Sequence, residues 1–223
     1  MKNVKARKRD LEFIYEMGCI RYIDRSWKHF LNPGFQNLAE HHLRVAWIAL
    51  ILAKQEGVKD TGKVIKMSIM HDIAESRTGD VDYLSRQYTK RDEDLGMQDI
   101  LSSTILEDEF LALWKEYKEK KTIEAQIVKD ADYLDVDIEL KEQEARGMPS
   151  RKEWKASRVM LAKNNFFTKS AKKLWRELQK SNPNDWHTKA RNRFNSGDWK
   201  KIASTSSPSI HSRLLPSVSY LPR

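Results

Sequence analysis

The chain has 223 residues, of which 39% are hydrophobic, and it carries a formal net charge of +9 and a single cysteine, Cys19. One cysteine excludes an intramolecular disulfide and a cysteine-based metal cluster, and this length suffices for one domain with a full hydrophobic core. The sequence contains no apolar run of roughly eighteen residues, which excludes a transmembrane helix, and its charged start lacks the apolar centre of a signal peptide. We therefore expect a cytoplasmic protein.

The positive charge is concentrated in the C-terminal part of the chain. Residues 151–201 hold 15 lysines and arginines against 4 acidic residues, whereas residues 1–150 hold 24 against 28. A basic segment can indicate a nucleic-acid or phosphate partner. A solvated charged face on helices that cover the core is the simpler explanation.

Composition also suggests how the chain is organised. We predict a single domain over residues 1–200, with its core at about 8–146 and a basic helical extension at 151–200. From Ser204 the composition changes to serine-rich sequence without acidic residues. Residues 202–223 are therefore predicted to form a disordered tail.

Apolar residues recur at helical spacing along most of the chain, and no stretch alternates as a strand would. Glycine and proline are sparse, at 8 and 6 residues, so the predicted class is all-α. Gly57 is placed to end one helix and Thr122 to begin another. In chain order, helices are predicted at 6–18, 39–56, 64–79, 91–106, 107–120, 122–146, 151–162, 168–180 and 184–195, with a loop or short helix at 81–90.

Two of these helices carry distinctive apolar faces. The first should bury Leu11, Ile14 and Tyr15, which fall on one side. The helix at 39–56 has two apolar stripes, one through Trp47 and the other through Leu52. A helix that is apolar on two sides is typical of the centre of a bundle.

The helix predicted between Val64 and Gly79 carries the most informative residues. His71 and Asp72 lie within its apolar pattern, and Glu75 follows one turn beyond His71, on the same side. Burying such groups without partners is costly, so a bound metal ion is the simplest explanation.

Further ligands should come from other buried helix faces. His41 and His42 open the helix at 39–56, and Asp130 and Asp132 lie among apolar residues of the long helix at 122–146. Taken singly, each has an ordinary explanation. A histidine on an apolar face is usually a core residue, and a buried aspartate can cap a neighbouring helix or pair with an arginine. The spacing alone leaves the choice between Asp130 and Asp132 open.

In combination these residues form a specific pattern: Glu40-His41, then His71-Asp72-Ile-Ala-Glu75, then Thr78-Gly79-Asp80, then Val128-Lys-Asp130-Ala-Asp132. Over roughly residues 8–146 this pattern resembles the HD-domain metal-dependent phosphohydrolase superfamily. It is most similar to the bacterial 5'-deoxynucleotidase (YfbR-like) and HD-domain-containing nucleotidase group. The resemblance implies an HD-domain helical bundle to which the C-terminal helices are added.

The resemblance also implies a metal site. Its ligands would be His41, His71, Asp72 and Asp132, with Asp130 as the alternate to Asp132. The cofactor would be one divalent ion, whether Mn, Co, Zn, Fe or Mg. His42 would support the ligands or fill the core.

Further residues follow from the same resemblance. Glu75 and Asp80 are implied to be catalytic or to face the substrate. Arg25 and Trp27 match an arginine and a tryptophan that contact the phosphate and sugar, but here Ser26 separates them, which leaves the substrate open. Trp27 would equally well fill the core. Secondary candidates near the same place are Lys28, His29 and Asn37.

The function implied is hydrolysis of a nucleoside 5'-monophosphate, preferably deoxy, to nucleoside and phosphate. One alternative keeps the site and acts on another phosphate ester, a diester or a nucleoside triphosphate. A second is a nucleic-acid-binding or regulatory HD module, supported only by the basic segment and its tryptophans. We expect a small phosphate ester as the partner, with neither nucleic acid nor membrane. Relatives of this group are often dimers, so a homodimer is also considered.

Overall fold

The computed structural model describes residues 2–31, 34–148 and 152–188, and these are helical with no strand, which confirms the all-α prediction. A lone antiparallel bridge joins Asp24 to Asn37. Short 3-10 helices lie at Ile20–Tyr22, Ser26–His29 and Ser85–Gln87. The α-helices are α1 (Lys2–Cys19), α2 (Leu38–Gln55), α3 (Thr61–Met70), α4 (Glu75–Thr78), α5 (Glu93–Leu101), α6 (Glu107–Glu119), α7 (Ile123–Ala145), α8 (Lys152–Asn164), α9 (Lys169–Lys180) and α10 (Asp185–Thr188).

The centre of the bundle is formed by α2, α3 and α7, which make the most extensive contacts with one another. Ile48 and Leu52 of α2, Met67 of α3, and Ile127 and Leu134 of α7 are buried in one apolar core. Two capping groups fix where the longest helices begin. The side chain of Asn37 accepts from the backbone of Glu40 while Glu40 accepts from Asn37, and Thr122 accepts from Ala125 at the start of α7.

Two predicted apolar faces are not buried. On α1, Leu11, Ile14 and Tyr15 are exposed, and Phe13 and Met17 pack against the core instead. The prediction for this face was therefore wrong by about one residue of helical rotation.

The helix α2 also buries only one of its two apolar stripes. The buried one runs through Val45, Ile48 and Leu52, while Leu43 and Trp47 are exposed, at 64% and 62%.

No helix among the described residues combines the length and apolarity needed to cross a bilayer.

The helix predicted over 64–79 is interrupted. α3 ends at Met70, and through the next turn the hydrogen bonds tighten, with the N–H of Ile73 donating to the carbonyl of Met70 and that of Glu75 to the carbonyl of Asp72. α4 then runs to Thr78 and ends at Gly79, whose φ of +73° favours glycine. The break therefore falls on His71 and Asp72.

The described part of the basic segment confirms helices close to the predicted 151–162 and 168–180. Both pack near α7: Asp130 caps the start of α9, and Asp137 holds Arg158 of α8 and Trp175 of α9. The predicted helix at 184–195 is described only as far as Thr188. The chain divides before Asn182, so α10 belongs to a separate unit, and the predicted tail at 202–223 lies outside the described residues.

Candidate metal and substrate site

Four predicted ligands meet at one place. His41 comes from α2, His71 and Asp72 from the turn after α3, and Asp132 from α7, and one ligand atom of each lies within 4.8 Å of all the others. Nε2 of His41 is 3.1 Å from Nε2 of His71, 3.4 Å from Oδ1 of Asp132 and 3.5 Å from Oδ2 of Asp72. Three separate stretches of sequence therefore contribute to a single cluster.

Both imidazole rings are oriented for ligation. The Nδ1–H of His71 donates to the carbonyl of Ser68 at 2.7 Å, and the Nδ1–H of His41 donates to Oδ2 of Asp135 at 2.6 Å. Each ring therefore turns its Nε2 towards the cluster, as in metal sites whose histidines are held through the other nitrogen. Two imidazoles and two carboxylates suit Zn, Mn, Co or Fe. These donors fit a divalent cation.

Electrostatics at the cluster favour a positive charge in its centre. Burial and the charge of Arg25 act to lower the pKa of His41, but hydrogen bonds with Asp132, Asp135 and Asp72 outweigh them and raise it to about 10. A proton thus occupies this centre when no cation does. Burial alone would raise the pKa of Asp72, yet the neighbouring histidines hold it well below its ordinary value.

Asp135 is a functional residue that sequence reasoning missed. Its fully buried carboxylate accepts from His41, from Gln36 at 2.5 Å and from Nε of Arg44 at 2.5 Å. Arg44 also binds Glu139. The available signal was spacing, because Asp135 lies three residues after Asp132 and Arg44 three after His41, on the same helix faces.

The structure distinguishes the two aspartates that sequence spacing left open. Asp130 is fully buried outside the cluster, where its carboxylate accepts from the backbone N–H groups of Phe167 and Thr168 and from the hydroxyl of Thr168. It is a helix cap, and only Asp132 reaches the cluster. His42 is also buried, with its ring 4.8 Å from that of His71.

Arg25 lies beside the ligands and contacts three carboxylates. Its guanidinium is 3.5 Å from Asp72, 3.7 Å from Glu75 and 3.1 Å from Asp80. Asp80 also accepts from the backbone and hydroxyl of Ser26. The serine that separates Arg25 from Trp27 therefore helps to fix the arginine's position.

Glu75 is buried next to this arginine. Its Oε1 lies 3.2 Å from Arg91, and its Oε2 is buried with no hydrogen-bond partner among the described residues. Burial, followed by the charges of Asp72 and Asp80, raises the pKa of Glu75 to about 9. In the metal-free protein this environment therefore favours the neutral carboxyl group.

The other candidates near Arg25 have structural contacts. The ring of Trp27 packs against Phe35 and Trp154, with centroids 6.3 and 5.9 Å away, so it fills an aromatic cluster and does not line the cavity described below. Lys28 pairs with Asp24, His29 lies 3.4 Å from Asp82, and Asn37 caps α2.

A cavity of about 380 Å³ opens above the cluster. A larger cavity, of about 520 Å³, lies beside Trp47 and contains none of the four ligands. The smaller cavity is lined by three of the four ligands and by cationic residues that the sequence analysis did not predict. Its lining is Arg25, His71, Asp72, Glu75, Asp80, Arg86, Arg91, Glu93, Trp114, Tyr117, Lys118, Lys120, Lys129 and Asp132.

Comparisons with known proteins agree with this arrangement. The profile of the HD domain family matches residues 17–175. The chain is 29% identical over 148 residues to 5'-deoxynucleotidase HDDC2 of Dictyostelium discoideum, covering 60% of this chain and 77% of that protein.

Solved structures share the fold. A conserved hypothetical protein from Pyrococcus furiosus is 26% identical, with a TM-score of 0.62 over 77% of this chain and 99% of that one. A predicted metal-dependent phosphohydrolase from Magnetospirillum magnetotacticum is 22% identical, with a TM-score of 0.63 over 79% and 92%. Because the family profile matches well over half of its length, this chain belongs to the HD-domain family of phosphohydrolases.

Proposed function

We propose that this protein hydrolyses nucleoside 5'-monophosphates, preferably 2'-deoxy, to nucleoside and phosphate, and that it depends on one divalent cation. The observation that carries the proposal is the convergence of His41, His71, Asp72 and Asp132 at a cavity with a cationic wall. The naming of the Dictyostelium relative as a 5'-deoxynucleotidase supports the choice of substrate.

The four converging residues would hold the cation. When bound, it supplies Lewis-acid polarisation of a phosphoryl oxygen and favours ionisation of a water molecule. Arg25 faces the same cavity and contributes a fixed positive charge near the non-bridging oxygens of the phosphate. Its ion pair with Asp80, at 3.1 Å, keeps the guanidinium in place before substrate arrives.

Glu75 is the group best placed to manage protons. As water attacks phosphorus, a new P–O bond forms and the ester P–O bond breaks. Glu75, protonated because its pKa is raised to about 9, donates its proton to the departing sugar oxygen. The proton released by the attacking water then restores the carboxyl group, so the cycle closes without a change in charge.

The alternative of a nucleic-acid-binding module receives less support. Its aromatic residues would need to be available for stacking on bases. Trp154 packs on Trp27, and the indole of Trp175 donates to Asp137. Both side chains are engaged within the bundle, whereas Trp186 of α10 is exposed.

The proposal is tested by metal analysis of the purified protein, together with phosphate release from a panel of ribo- and deoxynucleoside 5'-monophosphates. We expect activity with at least one of Mn, Co, Zn, Fe or Mg and its loss in the His71→Ala and Asp72→Ala variants. His187→Ala, which alters an exposed histidine of α10, is the matched control and should retain activity. Full activity in a folded His71→Ala variant would refute the proposal, as would no release from any nucleotide.

A further inference from the structure

Cationic side chains outnumber carboxylates on the wall of the cavity above the metal cluster. Six cationic and five carboxylate side chains line it, so its net charge is positive by one when every carboxylate is ionised. A divalent cation would raise that excess to three. Asp94 compensates Lys118 from outside the lining, and a phosphate monoester brings at most two negative charges, so the net charge alone does not require a second anion. A cation that lacks an ion pair would favour one.

Most of the cationic side chains already have partners. Arg25 and Arg91 are both held by Glu75 and further carboxylates, and Nζ of Lys129 lies 2.7 Å from Asp132. Lys118 pairs with Asp94 at 3.2 Å. Of the six cationic side chains, Arg86 and Lys120 form no ion pair with a described carboxylate, and Arg86 donates to the carbonyl of Val81 at 3.0 Å.

The backbone of Lys120 is also unusual. It ends α6 in the left-handed region, with φ 53° and ψ 30°, where glycine or asparagine is normally found. Burial, followed by the charge of Lys129, lowers the pKa of Lys120, so an anion bound beside it would stabilise its ammonium form. The lysine without an ion pair therefore lies at the end of a helix on the cavity wall.

We propose that Lys120, together with Lys118, forms a subsite for a second phosphate group of the substrate. This inference rests on the proposed function, which places the scissile phosphate at the metal cluster beside Lys129. Lys118, Lys120 and Lys129 line the same cavity, and Lys118 is more exposed than Lys129, with 44% against 21% of its side chain accessible. The ligand chemistry is a nucleotide with two phosphates, whether a nucleoside 3',5'-bisphosphate or a 5'-diphosphate.

The test is calorimetric titration of the metal-loaded protein with phosphonate analogues, which cannot be hydrolysed at the bridging position. The probes are the analogues of a deoxynucleoside 5'-monophosphate, its 5'-diphosphate and its 3',5'-bisphosphate. In the wild type, we expect the second phosphate to strengthen binding about tenfold, the typical value of one charge-assisted hydrogen bond. Lys120→Gln should abolish this gain and Lys120→Arg should keep it.

Lys121→Gln is the matched control, because it removes the same charge one residue away from a side chain that is 80% exposed and outside the cavity lining. A gain with either doubly phosphorylated probe that Lys120→Gln alone removes supports the subsite, and the probe that shows it locates the second phosphate. No gain with either probe overturns the subsite, as does an equal loss in Lys121→Gln. Phosphate release from monophosphates by the metal-loaded protein is scored separately, so failure of the subsite is distinguishable from failure of the proposed function.

Discussion

Asp130 and Asp132 are two positions apart on α7, and the helix turns their side chains to nearly opposite sides. Asp132 faces the histidines, whereas Asp130 accepts three hydrogen bonds from the start of α9. Both are acidic residues among apolar neighbours, so hydrophobic spacing could not separate them. The distinction comes from Thr168, which is remote in sequence.

The same substitution at these two positions should have different consequences. Asp132→Asn should weaken cation binding by more than about 100-fold, because it removes a charged ligand. Asp130→Asn should instead lower the free energy of unfolding by about 2 kcal/mol through loss of the helix cap, with little effect on cation affinity. Metal-competition titration and chemical denaturation of both variants check this. Loss of cation affinity in Asp130→Asn alone would reverse the assignment.

Asp135 is expected to act on the metal site through His41. Asp135→Asn should weaken cation affinity by about 10- to 100-fold, because the carboxylate orients the imidazole and increases its basicity. Glu142→Gln is a matched control: Glu142 binds the same Arg44, at 2.8 Å, and no contact joins it to His41. Competition against a fluorescent chelator measures both variants. Equal affinities for Asp135→Asn and the wild type would contradict this role.

The proton held by His41 should make both stability and cation binding depend on pH. The pKa of His41 in the folded metal-free protein, about 10, is above its ordinary value of 6.5. Its stabilising contribution is therefore complete below about pH 6.5 and is lost as pH rises through the folded pKa. A cation must displace this proton, so its affinity should increase over the same interval.

Denaturation of chelator-treated protein and metal-competition titrations between about pH 6.5 and 9 test both effects. As pH rises, the free energy of unfolding of the cation-free protein should fall, and the affinity of the protein for the cation should rise. A cation affinity that is constant over this interval would show that His41 does not carry the proton.

At the scale of elements, the helices were predictable because their ends are marked by local chemistry. Thr122 caps α7, as predicted, and Gly79 ends α4 with a positive φ. The break between α3 and α4 was not predictable, since a tighter turn leaves the apolar spacing of Met67 and Met70 unchanged. The exposed face of α1 was missed for a related reason: spacing shows that a face is apolar but not which neighbour covers it.

The end of α6 offers a test of strain at the element scale. Replacing Lys120 with glycine should raise the free energy of unfolding by about 0.5–1 kcal/mol, because relief of the left-handed conformation exceeds the entropy that glycine loses on folding. Ser103→Gly is the matched control, since Ser103 also has a positive φ, of 61°. Ser103→Gly should likewise raise the free energy of unfolding, and it should leave nucleotide binding unchanged. Thermal denaturation measures the stability of both variants. A lower stability of Lys120→Gly than of the wild type would show that the backbone of Lys120 is not strained.

The long helix α7 connects the metal site to the basic segment. Its carboxylates point in several directions: Asp132 and Asp135 towards the histidines, and Asp130 and Asp137 towards α8 and α9. Part of the positive charge of residues 151–201 is thus paired with carboxylates inside the bundle. The composition alone could not show this, because it gives the amount of charge but not its partners.

This arrangement supports the prediction that α8 and α9 belong to the same cooperative unit as the metal site. Arg158 donates two hydrogen bonds to Asp137 and a third to the carbonyl of Tyr133, and its side chain is only 12% exposed. Arg158→Met should therefore lower the free energy of unfolding by about 3 kcal/mol, because it leaves the carboxylate of Asp137 buried without its cation.

Lys155→Met is the matched control on α8, since its ion pair with Glu144 is more than one-third exposed on both sides and should contribute less than about 1 kcal/mol. Unfolding is to be followed by helix content and by release of the bound cation. If α8 belongs to the metal-binding unit, Arg158→Met shifts both signals together in a single transition. If the two signals separate, so that α8 is lost while the cation stays bound, the basic segment is an independent unit and the single-domain prediction is wrong.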